Sequence, residues 1–141
     1  MRALSDAALM AAAEAVRLRA HAPYSLYQVG AAIEDEQGVL HLGCNVENGA
    51  YPLGSCAEAG AIAAMCAGGG ARIVRIAVAG GRGELEACTP CGGCRQRIAE
   101  FADGETQILL READGALRSH RLAELLPFSF SLRGEPAPRA E

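Results

Sequence analysis

The chain has 141 residues, half of them apolar, which is enough for one ordinary hydrophobic core and too few for two. Its 13 basic and 17 acidic residues give a formal net charge of −4. That leaves no basic surface for a polyanion, so action on DNA or RNA strands is disfavoured and a small diffusible substrate fits better.

In chain order, Ser5 is placed to cap a helix over residues 6–19, with Leu9, Ala13, Val16 and Ala20 on one face. Asp6 and Glu14 interrupt the weakly apolar alanines of residues 7–16, so neither a secretory leader nor a membrane span is expected. Pro23 stops the helix, because proline cannot continue the hydrogen-bond ladder and biases the residue before it away from helical angles. Residues 27–34 and 39–44 read as antiparallel strands joined by the polar turn Asp35-Glu36-Gln37-Gly38. An alanine-rich helix over 55–67 ends at Gly68-Gly69-Gly70.

The near-continuous apolar run 73–79 predicts a strand buried on both faces. A loop over 80–86 follows, in which Arg82 reads as a solvated charge. A third helix over 91–101, strands at 107–110 and 117–121 around Asp114-Gly115, and a short helix over 122–126 ending at Pro127 complete the pattern. Residues 134–141 combine Gly, two Pro and charge without periodicity and are expected to fray, leaving residues 1–133 as a single domain. His21, His41 and His120 lie in separate segments without ligand spacing and read as surface or turn histidines. Strands alternating with helices indicate an α/β sandwich.

The chemistry concentrates in Cys56-Ala57-Glu58 and Cys91-Gly92-Gly93-Cys94. Three thiols can close three corners of a zinc tetrahedron and leave the fourth open, the mark of a catalytic rather than a structural site. Glu58, two residues past its thiol, can reach a water at that corner without ligating the metal. This is the layout of the zinc deaminases. Both stretches fall at predicted helix starts, where unpaired N–H groups favour thiolates at Cys56, Cys91 and Cys94. Cys88 makes the run formally CxxCxxC, but Ile98 stands where an iron–sulfur pattern needs its next cysteine. Cys88 is therefore expected to finish a strand, with Pro90 breaking it. Cys44 and Cys66 read as buried small residues, and reduced cytoplasmic thiols are the default.

Four blocks in order, at residues 23–32 (PYSLYQVGAA), 43–51 (GCNVENGAY), 91–96 (CGGCRQ) and 124–127 (ELLP), resemble the small single-domain cytidine deaminases. The resemblance covers roughly residues 5–132. It implies a three-layer α/β/α sandwich with a mixed five-stranded sheet, bound Zn²⁺ and a cytoplasmic homotetramer of pyrimidine salvage. The implied reaction converts cytidine and 2′-deoxycytidine to uridine and 2′-deoxyuridine with release of ammonia, and Glu58 moves the protons.

By the same resemblance Asn45 and Glu47 bind the ribose hydroxyls, and the backbone of Ala57 and Thr89 reads the base edge. Tyr27 lines the pocket, and Phe130 reaches into a neighbouring subunit's site. Ala59 departs from the common pattern, since many relatives carry Arg after the catalytic Glu; blasticidin-type deaminases share the departure, so a modified cytosine nucleoside is the alternative substrate. A non-catalytic zinc module is the alternative of a different class, with little use for Glu58. Arg95, directly after Cys94, is the candidate to replace the missing positive charge by donating to thiolate sulfur.

Overall fold

The computed structural model describes residues 4–132. The expected frayed tail at 134–141 lies outside them. Helix α1 (Asp6–Arg17) opens with the Ala8 N–H donating to Ser5 Oγ at 3.1 Å, the N-cap read from the sequence. Strands β1 (Gln28–Asp35) and β2 (Leu40–Cys44) pair antiparallel, from Gly30 opposite Cys44 to Glu34 opposite Leu40. After a single helical turn at Tyr51–Leu53 come α2 (Ala57–Ala67), β3 (Ile73–Gly81) and α3 (Gly92–Phe101). The last elements are β4 (Gln107–Arg111), β5 (Leu117–Arg121) and α4 (Leu122–Leu125).

The five strands form one mixed sheet in the order β2-β1-β3-β4-β5. Only β3 and β4 run parallel, and the crossover that parallel neighbours require carries α3. The two-residue period of the strands sorts their side chains between the layers. Ala31, Ile33, Ile76, Val78, Ile108 and Leu110 point to the face covered by α2 and α3, where Met65 and Ile98 pack among them. Ala32, Ala77, Ala79 and Leu109 meet Leu9, Met10 and Ala13 of α1 on the other face. Each large aliphatic side chain buried this way contributes roughly 1.5–3 kcal/mol. Close approach fixes the layer that carries the chemistry: a Cβ added to Gly43 of β2 would lie 2.3 Å from the Ala61 nitrogen of α2. No larger residue fits without moving the helix.

Three expectations about burial change. On α1 the buried set is Leu9, Met10, Ala13 and Arg17, whereas Val16 and Ala20 are only half-buried. The face turns because the Arg17 guanidinium is taken inward, donating to the carbonyls of Gly81 at 3.3 Å and Gly83 at 2.5 Å. Cys66, near the end of α2, is exposed rather than buried. His41, expected at the surface, is buried with its Nε2 2.7 Å from Asp35 Oδ2.

Asp35 also accepts from the backbone N–H of Gln37 and Val39, so one carboxylate closes the β1–β2 turn. Burial pushes the Asp35 carboxyl up, but His41 and the two N–H donors outweigh it and hold it below the ordinary carboxylate range. A carboxylate depressed in the folded state adds stability that is complete above its unfolded value, about pH 4, and is lost as pH falls through the lower folded value. Asp35→Asn should therefore flatten the acid limb of denaturant stability measured between pH 3 and 7. His41→Phe should cost about 1–3 kcal/mol at pH 7, since it leaves a buried carboxylate short of a partner. Equal acid limbs in wild type and Asp35→Asn would show that the pair carries none of the acid sensitivity.

Candidate active site

Cys56 and Cys91 are the N-cap residues of α2 and α3, both extended (φ −76°, ψ 157° and φ −66°, ψ 167°). Their carbonyls start the two helices by accepting from Gly60 and Arg95 at 3.2 and 3.0 Å. Neither thiol makes a capping bond, so both sulfurs stay available. Cys94 lies one turn into α3 and is fully buried. The packing of α2 beside α3 brings the three sulfurs within 4.8 Å of one another, the one such cluster of metal-ligating groups among the described residues. Zinc–sulfur bonds of about 2.3 Å at tetrahedral angles need sulfurs roughly 3.8 Å apart, so this all-thiol donor set fits Zn²⁺.

Helix position alone does not act on the three thiols alike. Burial lifts Cys56 and Cys94 above the ordinary thiol value, and the Glu58 carboxylate pushes both further. Only Cys91 is lowered, chiefly by the Cys94 backbone N–H. A divalent cation at the centre of such a cluster deprotonates a coordinating thiol outright.

Glu58, in the first turn of α2, is 4% exposed. Burial raises its carboxyl above the usual value, against the opposing pull of its own backbone N–H, Cys94 and Arg97. It faces a cavity of 510 Å³, in the normal range for small-molecule sites. Tyr27, Asn45, Glu47, Cys56, Ala57 and Thr89 line the same cavity, as do Cys88 and Cys91. So do Val46 and Tyr51, which lie in the 43–51 block without an assigned role, and Ser55.

The two polar residues beside the cavity are already held by the backbone. Asn45 Oδ1 accepts from the Val29 N–H at 2.8 Å, and its Nδ2 donates to the Tyr27 carbonyl at 2.9 Å. Glu47 Oε1 accepts from the N–H groups of Tyr24 and Ser25 at 3.0 and 3.1 Å, and Oε2 from the Ser25 hydroxyl at 2.5 Å. Ser25 foremost holds the Glu47 carboxyl below its ordinary value, so it is ionised at neutral pH. One Asn45 N–H and part of Oε2 remain for a ligand.

Cys88 does not finish a strand: β3 ends at Gly81, and Cys88 follows in irregular backbone after an isolated bridge between Gly80 and Glu86. Its thiol belongs to the Tyr27 side of the cavity, where burial and then the hydrogen bond with Cys88 push the Tyr27 hydroxyl up to about 12. Arg82, read as a solvated loop charge, is exposed, and it also donates its Nε to the Ser25 carbonyl at 3.2 Å and lies 5.7 Å from the centre of the Tyr27 ring.

Arg95 does not donate to sulfur. Its Nε goes to the Pro90 carbonyl at 2.9 Å and its Nη1 to the Leu125 carbonyl at 2.7 Å, tying the start of α3 to the end of α4. Arg97 makes the sulfur contact, with Nη1 3.7 Å from Cys94 Sγ. Its i,i+3 spacing from Cys94 on one helix face was the available signal. Phe130 stands outside this cluster, 67% exposed, with its backbone N–H and carbonyl both held by the Gln96 side chain at 3.0 and 2.9 Å.

Residues 4–110 match the model of the cytidine and deoxycytidylate deaminase zinc-binding region. A cytidine deaminase of Sporosarcina psychrophila is 39% identical over 124 residues, spanning 87% of this chain and 89% of that one. The crystal structure of cytidine deaminase from Mycobacterium tuberculosis superposes with a TM-score of 0.79 at 36% identity, covering 92% of this chain and 99% of that one. The corresponding figures for the Burkholderia pseudomallei cytidine deaminase are 0.80, 37%, 90% and 100%. A shared five-stranded fold, three clustered thiols with a buried carboxylate beside them, and matches over most of the chain lead to one conclusion: this chain belongs to the cytidine and deoxycytidylate deaminase family.

Proposed function

We propose that this protein is a zinc-dependent cytidine deaminase, hydrolysing cytidine and 2′-deoxycytidine to the corresponding uridines and ammonia. The observation that carries the reading is the buried Glu58 carboxylate in the same cavity as two of three clustered thiols, Cys56 and Cys91, with Cys94 completing the cluster. Zinc bound by these three cysteines supplies Lewis-acid activation of a water for attack on the amino-bearing carbon.

Glu58 takes a proton from the attacking water and passes it to the ring nitrogen, then takes the second proton from the hydroxyl now on that carbon and delivers it to the amino group, which leaves as ammonia. Its raised carboxyl suits a group that must both accept and return a proton near neutral pH. Asn45 and Glu47 are assigned to the ribose. The N–H groups and carbonyls that hold them fix the amide and the carboxylate before substrate arrives, so little ordering remains to be done on binding. Backbone groups of Ala57 and Thr89 read the base edge, and the Tyr27 ring forms a wall braced by Arg82. Zinc content and ammonia release, measured on one preparation with cytidine, deoxycytidine, cytosine and a bulkier cytosine nucleoside, test the reading. Full zinc occupancy with no ammonia from any cytosine compound would leave only a structural zinc module.

Residues 1–133 are taken as one catalytic domain working in the cytoplasm. Among the described residues no helix is long and apolar enough to cross a membrane. A homotetramer is part of the proposal. Support comes from the aromatic and aliphatic side chains left in solvent: Tyr51, Leu53, Phe128, Phe130 and Leu132 are each at least 67% exposed. With Phe130 completing a neighbour's pocket, Phe130→Ala should raise KM for cytidine several-fold while the zinc content stays whole. Sedimentation as a fully active monomer at micromolar concentration would contradict the assembly.

A further inference from the structure

Loading the site changes its charge in a way that the first turn of α2 does not balance. A thiol must give up its proton to bind a metal, so negative charge gathers at the cluster as it loads. Three thiolates around a divalent cation carry a net charge of −1, beside the carboxylate of Glu58. A positive group next to the sulfurs therefore favours the loaded site over the empty one. Ala59 brings no charge to α2, and Arg95 is committed to the carbonyls of Pro90 and Leu125.

Arg97 is the cation at the cluster, its Nη1 3.7 Å from Cys94 Sγ. The first turn of α3 leaves space for this approach, because Gly93 has no side chain: a Cβ there would come within 3.3 Å of Arg97 Nη1.

We infer that Arg97 is the charge-balancing partner of the thiolate cluster, a positioning residue that strengthens zinc binding through Cys94 without touching substrate. The inference rests on the zinc deaminase reading above. Arg97 is largely exposed, so water screens part of its attraction. That places its effect near the lower end of the 10–100-fold range found for groups that support metal ligands.

The test is zinc affinity of the full chain by competition with a chromogenic chelator, for wild type and for Arg97→Lys, Arg97→Gln and Arg97→Glu. Thermal unfolding of the zinc-free forms checks that all four fold alike. Arg97→Gln should bind zinc about ten-fold more weakly and Arg97→Glu more weakly still. Arg97→Lys should stay close to wild type, Ala59→Arg should restore part of the loss in Arg97→Gln, and raised salt should narrow the differences. A packing role would instead make Lys and Gln lose equally and independently of salt, which overturns the inference. Unchanged affinity in both Gln and Glu variants also overturns it, with the zinc reading intact. A wild-type chain that takes up no zinc removes both.

Discussion

Glu58→Gln should fold, hold zinc at least as tightly as wild type and lose about 10²–10⁴-fold in turnover, the range for a missing general acid–base. The amide keeps the shape of the side chain but can neither accept nor return the proton. Folding should tolerate the change because the carboxyl is buried and its charged form is already disfavoured there. Zinc affinity should not fall, since the Glu58 charge opposes ionisation of Cys56, Cys91 and Cys94, and its removal makes thiolates easier to form. Turnover and metal content therefore separate the roles. Near-wild-type ammonia release with full zinc would remove Glu58 from the chemistry, and loss of zinc would make it a ligand.

The metal cluster and its carboxylate were legible because each signal is local. Cys56 and Glu58 share one helix start, Cys91 and Cys94 another, and chain spacing alone nearly fixes their relative placement. Strands were legible for a similar reason: β1, β3 and β4 show the apolar runs that two packed faces require, and their observed ends differ from the expected ones by two residues at most. What escaped was pairing at a distance. Asp35 and His41 both look like turn or surface residues until the hairpin folds them together. Arg17, to which no role was assigned near the end of its helix, is turned inward by the carbonyls of Gly81 and Gly83, 64 and 66 residues away.

The replacement of Arg95 by Arg97 has a different cause. Adjacency in sequence suggested Arg95, but consecutive helix residues point about 100° apart, and the residue three positions on returns to the face of Cys94. Helix pitch should have outranked adjacency. Cys88 is close to Cys91 in sequence but lies in irregular backbone ahead of α3, and it joins the Tyr27 wall rather than the metal cluster.

Cys94→Ala should abolish zinc binding and destabilise the protein together. Cys94 is the one ligand with no exposed surface, set where α3 packs against α2, so its loss removes a metal bond and leaves two thiols with no third corner. A metal that binds only the folded chain stabilises it by about 2.7–4.1 kcal/mol at 100–1,000 times its dissociation constant. For a chain of this size that corresponds to a fall in Tm of roughly 10 °C. Chelator should lower the Tm of wild type by a similar amount and leave Cys94→Ala unmoved, because nothing remains to be stripped. Cys88→Ala supplies the contrast: its thiol lies on the Tyr27 side, so zinc content and the chelator response should match wild type. Zinc loss in Cys88→Ala with retention in Cys94→Ala would reverse the choice of ligands. Equal Tm values for wild type with and without chelator would show that the cluster serves chemistry alone and adds nothing to the fold.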